Sequence, residues 1–432
     1  MARVRPFAAL RYVRPELDIS PVTAPPYDVI SPEQRERLLA GDPYNVVALE
    51  LPEGPLDPAA EHNRYETGAA RWADWRAQGV IAQDNEPTVY VLEQRFVHEG
   101  RPVRRRAFIV EVGLESFDAG VVLPHERTLP KALGDRFELI KATAANLSQV
   151  FGLFDDASGE TDALFDRATG AEPIATATDA DGVTSTLWAV VDPEFSATIE
   201  GIFADKRIFI ADGHHRYNTA LSYRDLRREQ ARAAGETATD PAYDYVMMAL
   251  VNMEDPELLV MPTHRLATAP AAFDAQAFWS ALSTHFTVTD VPAEQAASAL
   301  DDSALPAFLV RVRGDETLRL VRVRDDADLD AAITVAQSSA WKHLDVAVLQ
   351  ELILDPLLDI HPDRPETLDR LAFVKDAHAA LATPQTRDVV FILRPTGMDQ
   401  LREVAVAGET MPQKSTYFFP KLLSGLVFRS AE

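Results

Sequence analysis

Cysteine is absent from this chain of 432 residues. The absence excludes disulfides, thiolate zinc sites, iron–sulfur ligation and cysteine nucleophiles, and it suits a reducing compartment. Long apolar stretches are lacking as well, because no window approaches the roughly 18 uninterrupted apolar residues of a membrane helix. The N-terminal residues also lack the apolar stretch of a secretory signal. We therefore expect a cytoplasmic protein without a membrane partner.

Positive charge is scarce relative to negative charge, and the formal net charge is −25 at pH 7. This balance opposes the phosphate backbone of nucleic acids, and no long run of Lys and Arg is interleaved with aromatic residues. We therefore expect no nucleic-acid partner. A solvated acidic surface explains the charge without any special function.

Lysine is scarce even among the basic residues, with 7 lysines beside 35 arginines. Lysine supplies a compact, mobile point charge, whereas arginine supplies a rigid fork of donors. In a chain that otherwise uses arginine, lysine is expected where chemistry needs the mobile charge. Lys131, Lys414 and Lys421 fall in segments that other observations single out below.

The length of the chain and its 47% of hydrophobic residues predict two or three packed domains. Alternating and helical patterns follow one another and predict a mixed α/β fold. The predicted elements include a β-hairpin over 88–97 and 103–112, a strand over 207–211 with a helix over 214–234, a buried strand over 245–252, helices over 58–79 and 135–145, and a surface loop over 171–182.

The most informative segment joins the strand over 207–211 to the helix that follows it. Backbone N–H groups and the positive end of the dipole point out of such a helix N-terminus, where Asp and Glu are favoured and a cation costs about 0.3–1 kcal/mol. The first turn here carries His214, His215 and Arg216 instead. A bound polyphosphate would remove this conflict, so the segment predicts a phosphate site.

A structural explanation accounts for part of the same segment. Asp212 is suited to cap the helix, Gly213 permits close approach to the backbone, and Asp-Gly is a common turn before a helix. Two adjacent histidines with an arginine favour phosphate binding over this explanation. No glycine-rich phosphate loop of the Walker type and no dinucleotide fingerprint is present.

Two further segments combine charged and hydroxyl side chains. In the loop over 124–131, Glu126 is placed to accept a proton while Lys131 and other cations screen a phosphate, although a surface loop with self-satisfied charges fits equally well. Near the C-terminus, Lys414 and Ser415 are predicted to face a pocket and bind phosphate or a substrate carboxylate, while Tyr417 and Phe419 pack into the core; a purely structural strand is the alternative. The loop over 25–28 and the pair His264-Arg265 are weaker candidates.

The succession of strand, Asp-Gly-His-His-Arg and helix resembles the nucleotide site of the ParB/sulfiredoxin superfamily. That superfamily includes free serine kinases, which phosphorylate L-serine at the expense of a nucleotide, as well as nucleotide-gated binders. Over most of its length the chain is similar to the bacterial family catalogued as domain of unknown function 1015, through residues 25–30, 124–136, 211–217 and 411–426.

The resemblance implies a ParB/sulfiredoxin-like nucleotide-binding core with additional mixed α/β segments. It implies phosphate contacts from Gly213, His214, His215 and Arg216. It also implies a functional carboxylate upstream of this motif, because the free serine kinases use one. Glu126 and Asp212 both remain open as its counterpart, so both are candidate catalytic residues.

The function predicted first is a nucleotide-dependent phosphotransferase that acts on a small polar metabolite, with free L-serine as a candidate acceptor. ATP or ADP is the expected cofactor, and Mg²⁺ would arrive with the nucleotide because no spacing such as His-Glu-x-x-His supports a protein-built metal site. A nucleotide-binding regulatory switch and a hydrolase of phosphorylated small molecules are the alternatives. Three segments are expected: 1–85 lining the site, 86–265 as the core, and 266–432, whose end returns to the site. Glu126, Lys131, Lys414 and the first turn at His214 are therefore expected to converge on a single cleft.

Overall fold

The structure, a computed structural model, describes residues 1–126, 130–237, 239–382 and 387–432, and for residues 130–132 and 365 it describes the backbone alone. Contacts divide the chain into two compact units. The first unit holds Met1–Leu123, the described part of 130–258 and Pro420–Glu432, and the second holds residues 124–126 and the described part of Leu259–Phe419. The three segments expected from the sequence do not coincide with these units and stay a prediction.

Strands and helices alternate along much of the chain. The strands are β1 (Val4–Arg5), β2 (Leu10–Tyr12), β3 (Ile81–Gln83), β4 (Val89–His98), β5 (Arg101–Gly113), β6 (Val122–Leu123), β7 (Ala145–Asn146), β8 (Val150–Phe154), β9 (Ala175–Thr178), β10 (Thr184–Val190), β11 (Ile208–Asp212), β12 (Tyr245–Asn252), β13 (Leu259–Met261), β14 (His264–Ala267), β15 (Phe286–Asp290), β16 (Ala307–Val312), β17 (Arg319–Val323), β18 (Leu371–Val374), β19 (Val389–Ile392), β20 (Tyr417–Phe419) and β21 (Arg429–Ser430).

The helices are α1 (Pro32–Gly41), α2 (Val47–Glu50), α3 (Arg64–Ala77), α4 (Pro130–Thr143), α5 (Asp162–Thr169), α6 (Pro193–Phe203), α7 (His214–Ala233), α8 (Ala275–Leu282), α9 (Ala296–Asp301), α10 (Leu329–Ala332), α11 (Ser339–Lys342), α12 (Asp345–Leu349), α13 (Asp355–Leu358), α14 (Pro365–Leu368), α15 (Ala377–Ala382) and α16 (Met398–Val406). A π-helical segment, Gln350–Leu354, joins α12 to α13. Short 3₁₀ turns include Tyr27–Val29.

The first unit is built on a mixed sheet in the order β6-β11-β8-β12-β5-β4-β10-β9, with β1 also paired to β5. The β4–β5 hairpin and the strand β12 are central, and apolar residues fill β12 without alternation because both faces of the sheet are covered. One core cluster joins these strands to helices through buried aromatics such as Phe108, Phe195 and Tyr217. The predicted mixed α/β fold, the hairpin and the strand over 245–252 are confirmed.

The second unit contains an antiparallel sheet in the order β15-β17-β16-β19-β14-β18. Its core packs β14, β16 and β19 against α9 and α15 through residues such as Leu300, Leu309, Ala380 and Val390. A separate antiparallel pair, β13 with β20, brings Leu259–Met261 beside Tyr417–Phe419.

Three predicted elements need correction. The helix predicted over 58–79 begins only at Arg64, because the Asn63 side chain accepts from the N–H groups of Tyr65 and Glu66 and caps it there. The helix predicted over 135–145 begins earlier, at Pro130. The loop predicted over 171–182 contains β9, whose small residues pair with β10 at the edge of the sheet.

Candidate functional site

The phosphate motif lies where β11 passes into α7 in the first unit. Gly213 is the N-cap residue between them, and the register of β11 against β8 shifts between Ile210 and Asp212, which is a β-bulge at the end of the strand. One turn into α7, the buried Tyr217 hydroxyl donates to the Glu115 carbonyl at 2.9 Å and accepts from its N–H at 3.1 Å. These contacts fix the start of the helix relative to the sheet.

Asp212 does not cap α7, so that prediction is wrong. Its Oδ1 accepts from Lys421 Nζ at 2.6 Å, and its Oδ2 accepts from Arg216 Nη2 at 2.7 Å. Burial alone would raise the pKa of this carboxyl, but Lys421 and Arg216, followed by His214, lower it well below the ordinary range. Asp212 is therefore an ionised counter-ion shared by two cations, and a weakly basic carboxylate of this kind is a poor proton acceptor.

Gly213 is required by its own backbone and by the packing of Arg216. Its φ of 94° lies in the left-handed region, which disfavours other residues. A Cβ there would lie 3.0 Å from both Nε and Nη2 of Arg216, because that guanidinium folds back over the turn. Arg216 also donates to the Gln149 carbonyl. The first turn of α7 contains no acidic residue, and Asp212 on the preceding strand compensates the charge of Arg216 instead.

Lys421 reaches the motif from the last part of the chain and is held there by a buried polar network. Gln94 and Arg105 face each other across the β4–β5 hairpin. Gln94 Nε2 donates to the Lys421 carbonyl at 3.2 Å, and the fully buried Arg105 donates to Gln94 and to the Pro420 carbonyl. Sequence reasoning missed Gln94 and Arg105, although two polar residues at inward-facing positions of a hairpin were a usable signal.

The predicted loop over 25–28 lies in the same unit, beside Arg136. The Tyr27 ring faces the Arg136 guanidinium at 4.1 Å from its centroid, and Arg136 forms ion pairs with Glu50 and Asp135 at 3.2 and 2.6 Å. Burial raises the pKa of Tyr27 to about 12, against the opposing charges of Arg136 and Arg216. Arg136 and Arg216 line one cavity of about 40 Å³, and the charge of Arg216 also acts on Tyr27.

Glu126 lies in the second unit, next to the segment that contains Lys414. It forms an isolated parallel bridge with Met411, and the Lys414 backbone N–H donates to Glu126 Oε1 at 3.4 Å. The neighbouring His125, which is 1% exposed, contacts Thr416 Oγ1 at 2.8 Å. The structure thus brings together two segments that lie almost 300 residues apart and that the sequence singled out separately.

Lys414 and Ser415 differ in their surroundings. Lys414 is exposed and has a φ of 56°. Ser415 is buried, and its hydroxyl donates to the Pro412 carbonyl, so it does not face an open pocket as predicted. Packing of the following aromatics also differs from the prediction, because Phe418 is fully buried while its two neighbours are half-buried.

The predicted residues therefore form two groups. Asp212, Gly213, His214, His215 and Arg216 lie in the first unit with Lys421, and Glu126, Lys414 and Ser415 lie in the second. Their meeting in one cleft stays a prediction. The backbone of Lys131 belongs to α4, whereas its side chain, together with Arg127 and Thr128, lies outside the described residues.

The described residues contain no candidate metal site and no candidate membrane span. In these parts of the chain no group of three or more His, Asp or Glu side chains is placed to hold a metal ion. Within the same ranges, no helix combines the length and the apolar character needed to cross a membrane.

Comparison with known proteins identifies a family. No curated protein matches the chain. Among solved structures, it is similar to a variant of free serine kinase in complex with ADP (12% identity, TM-score 0.35, covering 72% of this chain and 87% of that one). Free serine kinase in complex with AMP (14%, 0.33, 72% and 86%) and C-terminally truncated SbnI from Staphylococcus aureus (12%, 0.35, 74% and 86%) are further examples. The family described as "Protein of unknown function (DUF1015)" matches residues 4–347, and the chain belongs to it.

Proposed function

We propose that this chain is a nucleotide-dependent phosphotransferase that holds the phosphates of ATP or ADP at the N-terminus of α7. The acceptor is a small polar metabolite, with free L-serine as the first candidate, and Mg²⁺ accompanies the nucleotide. The proposal takes its ligand class from the Asp-Gly-His-His-Arg motif and its resemblance to the nucleotide site of the ParB/sulfiredoxin superfamily.

The observation that carries the proposal is the arrangement of charge around Gly213. A glycine N-cap has no side chain to occupy the first-turn N–H groups of α7. Arg216 and Lys421 converge on Asp212 at 2.7 and 2.6 Å beside this turn. Asp212 neutralises one of these two positive charges, so a net positive charge remains beside the helix N-terminus and suits an anion with several oxygens, such as a polyphosphate.

Glu126 is the proposed proton acceptor. Phosphoryl transfer requires little covalent help from a protein, but it requires a positioned acceptor for the substrate's hydroxyl proton and charge screening. Asp212 is less suited to this task because its pKa is lowered by Lys421 and Arg216. Lys131 and Lys414 are proposed to screen the charge of the transferring phosphate. Ser415 is proposed to hold the segment around Lys414 through its hydrogen bond to the Pro412 carbonyl.

The first experiment is a direct search for product. Purified protein is incubated with ATP, ADP or CTP, Mg²⁺ and a pool of amino acids and polyols, and phosphorylated products are detected by mass spectrometry and ³¹P NMR. A phosphorylated acceptor supports the kinase. Nucleotide binding without any product favours the regulatory switch, and release of phosphate from added phosphometabolites favours the hydrolase.

The second experiment tests the phosphate motif itself. We expect His215→Ala and Arg216→Ala each to weaken ADP binding by at least tenfold, about 1.4 kcal/mol, in isothermal titration calorimetry. Arg228→Ala is the matched control, because Arg228 lies on the same helix and pairs with Asp244 at 2.8 Å, away from the first turn. Equal affinities in wild type and both motif variants would remove the central claim.

A further inference from the structure

Arg265 is a buried cation in the second unit. Packing alone does not account for a charged side chain at this position, because burial of the charge is unfavourable. Arg265 lies on β14, is 3% exposed, and its guanidinium stands over the Phe373 ring at 5.1 Å. Within the described residues, its hydrogen-bond acceptors are the backbone carbonyls of Thr263, Gln413 and Lys414. Burying a cation without a directly bonded carboxylate is unfavourable. An arginine at this position therefore indicates a role for its charge or its hydrogen bonds.

The carboxylate that interacts electrostatically with Arg265 is that of Glu126. Burial lowers the pKa of Arg265 to about 9, and the negative charge of Glu126 opposes this shift. Arg265 therefore remains a cation at neutral pH. The adjacent His264 does not compete, because burial and Arg265 lower its pKa to about 4, and its Nδ1 accepts from the Leu393 N–H at 3.2 Å.

The hydrogen bonds of Arg265 act on the same short segment that contacts Glu126. Arg265 Nη2 donates to the carbonyls of Gln413 and Lys414 at 3.1 and 2.9 Å. These bonds hold Lys414 in its left-handed conformation, with φ of 56°, in which its N–H donates to Glu126 Oε1. Through Nη1 the same guanidinium also donates to the Thr263 carbonyl. Holding carbonyls of two separate segments with one rigid fork is a task that arginine performs and lysine does not.

We propose that Arg265 is a positioning residue that sets the orientation of the Glu126 carboxylate through the Gln413-Lys414 backbone. This inference rests on the proposed function, in which Glu126 accepts the proton of the acceptor hydroxyl. It gives His264-Arg265, a weak candidate in the sequence, a defined role without contact with the substrate.

The catalytic test is a double-mutant cycle. We expect Arg265→Met to lower kcat by roughly 10- to 100-fold while the dissociation constant for ADP stays within twofold, because the loss acts on the transition state through Glu126. In the Glu126→Gln background, Arg265→Met should cause no further loss of kcat, since the residue through which it acts is already disabled. Losses that multiply in the double variant would overturn the proposal.

Two further variants separate positioning from folding. Arg394→Met is the control, because Arg394 lies in the same unit, pairs with Asp345 and donates to the carbonyls of Ser303 and Leu305. It should lower the melting temperature without changing kcat per folded molecule. Arg265→Lys keeps the charge but not the fork, so kcat should recover only in part. Full recovery, or equal effects of Arg265→Met and Arg394→Met on kcat, would contradict the proposal.

A measurement independent of turnover keeps this inference separate from the proposed function. Selective ¹⁵N-lysine labelling gives at most seven backbone amide signals, one for each lysine, and Lys414→Arg assigns the signal of interest. In the ligand-free protein, the Lys414 amide should exchange at least tenfold faster in Arg265→Met than in wild type, and at the wild-type rate in Arg394→Met. Unchanged exchange in Arg265→Met would overturn the inference even if the protein is a kinase. Faster exchange would uphold the tie to Lys414 even if no acceptor is ever phosphorylated.

Discussion

At the scale of single residues, two carboxylates compete for the role of base, and their environments differ. Glu126→Gln keeps the shape and one oxygen acceptor but removes the charge. We expect it to retain ADP affinity and to lose turnover by roughly 10²–10⁴-fold, the range typical of general-base loss. Steady-state kinetics and calorimetry on the same preparation give both values.

The competing variant is Asp212→Asn. Because Asp212 serves Lys421 and Arg216 as a counter-ion, its replacement should affect stability more than chemistry. If turnover survives in Glu126→Gln and is lost in a folded Asp212→Asn protein, the base is Asp212 and the assignment is wrong.

The charge of Asp212 also predicts a pH dependence of stability. Its pKa in the folded protein lies below that of the unfolded chain, so its contribution is fully present above the ordinary aspartate range and is lost as pH falls through the folded-state pKa. At pH 7, Asp212→Asn should cost about 3 kcal/mol, since it leaves two cations uncompensated. Urea denaturation of both proteins from pH 7 to pH 3 should show the difference shrinking at the acid end. A constant difference would contradict the ion-pair explanation.

At the scale of elements, the junction of β11 and α7 depends on Gly213. Gly213→Ala places a Cβ in left-handed backbone and 3.0 Å from the Arg216 guanidinium. We expect it to destabilise the fold by about 2 kcal/mol or more and to weaken ADP binding. Gly235→Ala near the other end of α7 is the matched control. It has φ of 71° but nothing within 4 Å of the added Cβ, so it should cost about 1 kcal/mol and leave affinity unchanged. Equal effects of the two substitutions on affinity would refute the special role of Gly213.

The same junction shows what local sequence pattern predicts and what it does not. Strand, turn and helix follow from apolar periodicity and from the Asp-Gly pair, and the structure has all three. The capping role of Asp212 was predicted wrongly because its partner Lys421 lies 209 positions away, and no local rule connects them. The proximity of Glu126 and Lys414, by contrast, was part of the predicted single cleft, and in the structure the Lys414 N–H donates to Glu126 Oε1 although the two residues lie 288 positions apart. The strand β9 escaped notice because its few buried residues are alanines, whose apolar signal is weak.

At the scale of the whole molecule, the last residues of the chain are part of the first unit. Pro420–Glu432 belongs to that unit, and β21 pairs with β7. Phe428 is fully buried, with its ring 5.5 and 5.4 Å from those of Tyr12 and Trp72. Arg429, 1% exposed, donates to Glu111 and to the Tyr245 carbonyl. The C-terminal residues therefore form part of the core of the same unit that contains the N-terminal residues.

Removal of residues 420–432 should consequently abolish cooperative folding of the first unit. Loss of a buried Phe typically costs about 3–5 kcal/mol, and loss of one partner of a buried ion pair costs a similar amount. Together they approach the total stability of about 5–15 kcal/mol that a domain has. Deletion of the exposed Glu432 alone is the control and should leave the melting temperature unchanged. Circular dichroism melts and limited proteolysis distinguish the two truncated chains. If the chain ending at residue 419 melts cooperatively at the wild-type temperature, the C-terminal segment is dispensable for the fold. If such a chain folded and still bound ADP with wild-type affinity, Lys421 would also be removed from the phosphate site.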